Sequence, residues 1–562
     1  MHQLFVTPEL LEIIFRSGDK RESAICARVC KLWSGVALNV LWRDLDGLYG
    51  LFSLLGEILQ QPVDSRHDFR SWPTLATWRR LSFYAPRVRT LVYDETRPET
   101  RKMDLDCFDL VAMTSVVSIL LPNLRSFTFL STEPDNRVAH IMFMHETIRQ
   151  FDLLLSPTYH PPSLFQNIVE RMPFLTHLRL RSNMRIGSFH EPLCSLIKGL
   201  PQLVSVTLPT LFTTSAVIEE LSHLNHLESL EIDKEPASWD EHFDLTPVPS
   251  LTESDFPKLT SLSLSIHLSH LKQVFEQGFS QPCLLTNIYV QEVMGADDES
   301  VFSFLGALVK HCPLLTDLTL SLRIPMEWLF VAAVSYAGLH TPITSDALYP
   351  LLPLKNLRTL EIHHPKPLDI SDQDVEFFTA HWPNLETISL NPDPDLSVID
   401  TPSQITLASL LSLHRNCPKI RTISLLLSPP SIPILTLDTP LHPFRHLEKF
   451  HVGQSDIIKI GSVAAFLSQL FPPECIITVG GESSSELQLI GRRSATETAI
   501  RLKRWKDVQD VLPHFIRMVE ERRALESKLQ TLKADLEAQG GATNAIFAND
   551  PTSQNSDGRV TS

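Results

Sequence analysis

The sequence predicts an α/β protein in which a short helical N-terminal segment leads into an irregular solenoid of stacked strand–helix repeats, followed by a C-terminal helix and a polar tail. Three observations predict it. A unit of the form apolar-x-x-apolar-x-apolar recurs through most of the chain, helix-like apolar segments fill the intervals between its copies, and the opening residues carry apolar side chains at helical spacing.

The N-terminal segment, residues 1–46, comes first. Thr7-Pro8-Glu9 opens a helix, because threonine is a favoured N-cap, proline suits the first turn and glutamate complements the helix dipole. Leu10, Leu11, Ile13, Ile14 and Phe15 make that helix apolar over most of its surface. Residues 23–42 then place Ala24, Val29, Trp33, Val36, Val40 and Leu41 at mixed three- and four-residue spacing. Two or three short helices cannot bury that much apolar surface alone, so a partner should cover part of it.

These residues resemble an F-box motif. Val6-Thr7-Pro8-Glu9 stands where the family carries its opening Leu-Pro-x-Glu, and Ile14-Phe15 follows. Ala27-Arg28-Val29-Cys30-Lys31-x-Trp33 and Leu41-Trp42 match the later blocks. The leading Leu-Pro is displaced, and the spacer at residues 16–23 is short. The resemblance implies a motif that docks on a Skp-type adaptor, and through it on a cullin, within an SCF-type ubiquitin ligase. The candidate adaptor contacts by this match are Pro8, Leu10, Ile14, Val29, Cys30, Trp33 and Leu41. Val29 and Trp33 fit equally well as residues that hold the motif together.

Residues 47–85 are expected to form a helical linker that caps the repeats, which run over 86–485. Strong copies of the unit lie at 173–180, 201–208, 257–264, 313–320, 383–390 and 418–425. Weaker ones lie at 86–93, 122–129, 146–153, 226–232, 283–290, 356–362 and 446–452, and the period averages about 30 residues. The fourth and sixth positions of a unit, Leu178 and Leu180 for example, point to one side of a short strand, and the first enters the same core from the turn. Between units lie helical segments such as SLFQNIVERM and FSFLGALVKH, each ending near the next proline. One strand and one helix cannot bury their own apolar face, so neighbours must stack.

This pattern resembles leucine-rich repeats, which implies parallel strands on a concave face and helices on a convex one. The asparagine expected three residues after the last strand leucine occurs only at Asn183, and the longest interval carries an insert at 322–350. F-box and repeats together resemble a combination common in fungal families, in which the repeats hold a protein substrate.

The residues between the core positions should face that partner. Most are serine or threonine; the exceptions are His177, Arg179, Arg181, Glu231, Asp233, Tyr289, Asp317, Glu361 and His363, a basic spot about two repeats from an acidic one.

At 486–539 the pattern becomes helical and charged, with Trp505–Val519 as a cap on the last repeat and Pro513 as an interruption. Leu525, Leu529, Leu532 and Leu536 make a short heptad run, and 540–562 is polar enough to be disordered.

Composition narrows the function. The formal net charge of −16 argues against nucleic acid or an anionic membrane as partner. Forty prolines against 19 glycines suit many rigid element boundaries. The eight cysteines show no CxxC pair and no metal-ligand spacing; Cys26 and Cys30 fall one turn apart on an expected helix. They read as buried thiols of a cytoplasmic or nuclear chain, with neither a secretory signal nor a bilayer-spanning apolar run. None of the phosphate-binding, metalloprotease, serine-hydrolase or calcium-loop motifs is present, so no catalysis, cofactor or metal is expected. The expected role is a substrate-recognition subunit; the alternative is a repeat-based interaction scaffold without a ligase role.

Overall fold

The computed structural model describes residues 7–547 except 62–64, 132–138, 157–158, 183–185, 234–247, 253, 279–282, 294, 324–340, 395–401, 429–441 and 481–491. Val6, Asn183, most of the insert at 322–350 and the tail beyond 547 therefore lie outside the described residues. The chain forms two compact units, Met1–Asp369 with Asp395–Asp400, and Ile370–Pro394 with Thr401–Ser562.

The first unit opens with three helices, α1 (Pro8–Ser17), α2 (Lys20–Cys26) and α3 (Lys31–Arg43). Pro8 occupies the first turn of α1. Asp19 and Glu22 close a reciprocal capping box at the start of α2, which lets the chain turn sharply after Gly18. Leu11 and Phe15, one turn apart on α1, pack with Val36 and Ala37 of α3 into a small core. Cys26 and Cys30 do not share a helix. Arg28 and Val29 donate i→i−3 bonds that tighten the last turn of α2, and Cys30 is extended before α3 begins.

The repeats follow directly. The strand β1 (Asp44–Asp46) pairs in parallel with β4 (Thr90–Asp94), so the sheet begins before residue 86. Among the described residues, 47–85 hold the helices α4 (Tyr49–Phe52) and α5 (Leu75–Tyr84) and an antiparallel pair, β2 (Ile58–Gln60) and β3 (His67–Phe69). From β4 the strands run β5 (Ser126–Leu130), β6 (Gln150–Leu154), β7 (His177–Arg181), β8 (Ser205–Pro209), β9 (Ser229–Asp233), β10 (Ser261–Ser265), β11 (Asn287–Gln291), β12 (Asp317–Ser321) and β13 (Thr359–His363), in chain order and all parallel. Helices such as α6 (Leu105–Thr114), α7 (Pro161–Arg171), α8 (His190–Gly199), α9 (Ser215–Ser222), α10 (Leu268–Gln277) and α11 (Asp298–His311) return the chain between strands. This is a leucine-rich-repeat-like architecture.

The core is the one the unit pattern demands. Leu175, Leu178 and Leu180 are buried, as are their equivalents Leu285, Ile288 and Val290. In the early repeats phenylalanine replaces leucine, and Phe127 stacks on Phe151 with centroids 5.4 Å apart. A second link joins the repeats: the residue after the first apolar position is often threonine. The hydroxyls of Thr176, Thr260, Thr286 and Thr316 donate to the carbonyls of Arg149, Glu228, Thr260 and Thr286 in the preceding repeat, at 3.0–3.2 Å. Each reinforces the backbone N–H that the same threonine gives to the same carbonyl.

The second unit has the same grammar. The strands β14 (Thr387–Leu390), β15 (Thr422–Leu425), β16 (Lys449–His451) and β17 (Ile476–Thr478) pair in parallel and in order. They alternate with α12 (Asp372–His381), α13 (Ser409–Asn416) and α14 (Ile460–Leu467). A long helix, α15 (Arg492–Phe547), lies against α14. Its buried side chains Trp505, Val508, Leu512 and Ile516 follow a helical stripe, and the Trp505 indole N–H donates to the Ser455 carbonyl at 2.9 Å. Pro513 does not interrupt this helix as the sequence suggested. It sits on the exposed side, where water can solvate the carbonyl that loses its N–H partner.

Candidate functional site

Strands paired in matched register bring equivalent outward residues into line, in rows that cross the strands with a step of about 4.8 Å. In the first unit one row reads Thr128, Asp152, Arg179, Thr207 and Glu231, and the row beside it reads Ser126, Gln150, His177, Ser205 and Ser229. Members of both rows line a shallow basin of about 300 Å³.

Two arginines meet this basin differently. Arg181 is held in a two-pronged pair, its Nε and one terminal nitrogen donating to the two Asp152 carboxylate oxygens at 3.1 and 2.9 Å. Burial pushes the Asp152 carboxyl up from its ordinary value, and the Arg181 guanidinium pulls against that rise. Arg179, half-buried at the centre of the row, hydrogen-bonds to nothing among the described residues, and the same holds for the hydroxyls of Thr128, Ser205 and Thr207. The His177 ring takes part in a hydrogen bond with the Thr176 hydroxyl at 2.9 Å, and Glu231 accepts one from Ser229 at 3.1 Å.

Of the nine strand-face residues expected from the sequence, His177, Arg179 and Glu231 come together in the basin. Arg181 joins through Asp152, and Asp233 ends the strand that carries Glu231. Tyr289, Asp317, Glu361 and His363 form a separate group, with β10 lying between the two. Tyr289 and Glu361 share a row through Thr319, and the Glu361 and His363 side chains approach to 3.9 Å. Burial pushes the Tyr289 phenol up, a hydrogen bond with Ser321 opposes this, and the Glu361 carboxylate adds to it. The one Thr316 hydroxyl proton is shared between the Thr286 carbonyl at 3.1 Å and the Asp317 carboxylate at 2.7 Å.

The N-terminal candidates divide by exposure. Pro8, Leu10, Ile14, Val29 and Cys30 are exposed. Ile13 and Ile25 are 65% and 66% exposed, although both are large and apolar. Trp33 is half-buried and meets Phe15 edge-on, with ring centroids 5.4 Å apart. Leu41 is half-buried beside Val40 and lines a groove that also includes Phe15 and Arg43.

No protein-family model matches this chain, and no curated protein matches it. Solved structures do. The chain is similar to a crystal structure of the Rad7 and Elc1 complex in yeast, at 15% identity over 70% of this chain and 90% of that one, with a TM-score of 0.33. It is also similar to a chain of the LRIM1/APL1C complex (13% identity, 76% and 82% covered, TM-score 0.22) and to one of a TLR13–ssRNA13 complex (14%, 72% and 58%, 0.24).

Among the described residues no group of three or more His, Cys, Asp or Glu side chains is placed to hold a metal, and no helix is long and apolar enough to cross a membrane. Asp152 and Gln150 are hidden in the sequence because their repeat at 146–153 is a weak copy, although strict alternation about Phe151 and Leu153 turns both outward. A chain of hydrogen bonds in the second unit leaves no sequence signal at all. The two nitrogens of His451 contact Asp393 at 2.7 Å and Thr478 at 2.9 Å, bridging residues 58 and 27 positions away. That chain fastens the end of β16 to β17 and to the segment after β14.

Proposed function

We propose that this protein is a non-catalytic, repeat-based interaction scaffold whose strand face binds a protein partner. The observation that carries this reading is the contrast between the two sides of each strand. Every apolar unit position of β7, β9, β11 and β12 is buried, while the outward rows are polar, accessible at most positions though not at Thr207, and grouped into two clusters of mixed charge. The test is to probe the full chain with an array of random 15-residue peptides, comparing His177→Ala/Tyr289→Ala on the strand face with Gln166→Ala/Lys310→Ala on the helices. Binding should fall about tenfold in the first pair and hold in the second. Loss only in the helix pair would overturn the reading.

A second reading has its own observation. Leu10, Ile13, Ile14, Ile25, Val29 and Leu32 remain exposed although the three N-terminal helices already share a core. Apolar exposure on that scale suits a covering partner, and by the F-box resemblance that partner is a Skp-type adaptor leading to a cullin. Trp33 packs on Phe15, so its replacement would confuse folding with binding; Ile14→Lys with Val29→Lys is the cleaner variant. Co-expression with the adaptor should give a complex that this variant abolishes. A folded chain that forms no complex would leave the scaffold reading alone.

A further inference from the structure

We propose that the basin over β5–β9 is a seat for a carboxylate of the protein partner, an Asp or Glu side chain or a chain terminus, bound by the Arg179 guanidinium. The inference rests on the strand-face reading above and names the chemistry of its partner.

The geometry of the lattice supplies the argument. Arg179 lies at the midpoint of a five-strand row, with Asp152 and Thr207 as its register partners on either side. Asp152 is the nearest carboxylate by register and feels the Arg179 charge, but both of its oxygens accept from Arg181 and neither from Arg179. Arg179 is thus left with a full set of donors on the wall of an open basin. A guanidinium fork matches a carboxylate edge to edge. The hydroxyls of Thr207, Ser205 and Thr128 line the same basin with no partner of their own among the described residues, so further donors stand ready for the same anion.

Charge decides between anions. The basin and its rim hold two cations, Arg179 and Arg181, against the carboxylates of Asp152 and Glu231, with Asp233 close enough to act on Asp152. With no net positive charge, a dianionic phosphate is repelled more strongly than a singly charged carboxylate, which needs only the Arg179 guanidinium. The volume agrees: about 300 Å³ holds roughly ten waters, room for a carboxylate and its stem. The apolar members of the lining, Phe127, Phe151 and Leu178, are buried and the rest are polar, which disfavours an apolar anchor.

The test uses the full chain on the random-peptide array, read with wild type, Arg179→Gln and Arg179→Lys. Each variant is first checked by thermal melting; the side chain makes no hydrogen bond among the described residues, so the fold should hold. The expected result is a bound set enriched in Asp and Glu, with affinity reduced about tenfold or more in Arg179→Gln and partly restored in Arg179→Lys. Three results would overturn the proposal. Binders with no acidic enrichment, insensitive to Arg179→Gln but lost in His177→Ala/Tyr289→Ala, would remove the carboxylate seat and leave the strand-face reading standing. Phosphoserine peptides bound tenfold more tightly than their aspartate counterparts would reassign the site to phosphate. No binding to any peptide would count against both.

Discussion

A single histidine gives this fold a dependence on acid. His140 is fully buried in a 3-10 turn beside Phe129 and Tyr159, and neither ring nitrogen has a hydrogen-bond partner among the described residues. Burial depresses its pKa to about 3, from an ordinary value near 6.5. Between those values the unfolded chain takes up a proton that the folded chain refuses. The stability tied to His140 is therefore present above about pH 6.5 and is lost as pH falls, by up to about 1.4 kcal/mol per pH unit. His140→Phe should flatten the fall in urea midpoint between pH 6.5 and 4. An unchanged slope would show that the folded protein already admits the proton. His145 and His267 are depressed by burial in the same direction, so the variant should reduce the slope and not abolish it. None of this was legible in the sequence. A histidine's burial depends on which turn covers it, whereas the inward leucines announced themselves by position alone. Arg179 stands between the two cases. Alternation turned it outward, but its freedom follows from Arg181 being claimed by Asp152, 29 positions away, and only strand register brings those two together.

At the scale of elements, short helices and strands were readable because each is one period of a repeat whose apolar positions are fixed by stacking. Threonine in the second position of the unit was visible too, but its meaning was not: a hydroxyl bond to the neighbouring repeat requires the parallel register to be known. The helix α15 shows the opposite weighting, where context overrides a local breaker. Pro513 lies one residue past Leu512, in a stretch anchored upstream by Trp505 and downstream by Ile516. Packing of that stripe outweighs the cost of one missing hydrogen bond, about 3 kcal/mol for an interior proline. Trp505→Ala should accordingly destabilise the second unit by about 3–5 kcal/mol, since it leaves a cavity and strips the Ser455 carbonyl of its indole donor. Urea unfolding followed through that unit's melting transition would show it; a loss under about 1 kcal/mol would mean the helix is not a structural cap. Leu525, Leu529 and Leu532 lie beyond the stripe and are exposed, so they contribute nothing to this burial.

At the scale of the whole molecule, the strand lattice imposes a rule on whatever lies across it. Arg179 and Glu231 share a row and stand two strands apart, which is about 9.6 Å at ordinary strand spacing. A peptide crossing those strands in the polyproline II conformation advances about 3.1 Å per residue and turns once every three residues, so residues three apart face the same side about 9.3 Å from each other. The two rulers come into phase at that interval. A segment whose acidic residue rests on Arg179 would then bring its third residue onward over Glu231, where a lysine or arginine is favoured. The sheet therefore selects a spacing as well as a charge: acid-x-x-base in one direction of threading, and base-x-x-acid in the other. Nearest-neighbour pairs of opposite charge would fall between strands and gain from only one of the two contacts.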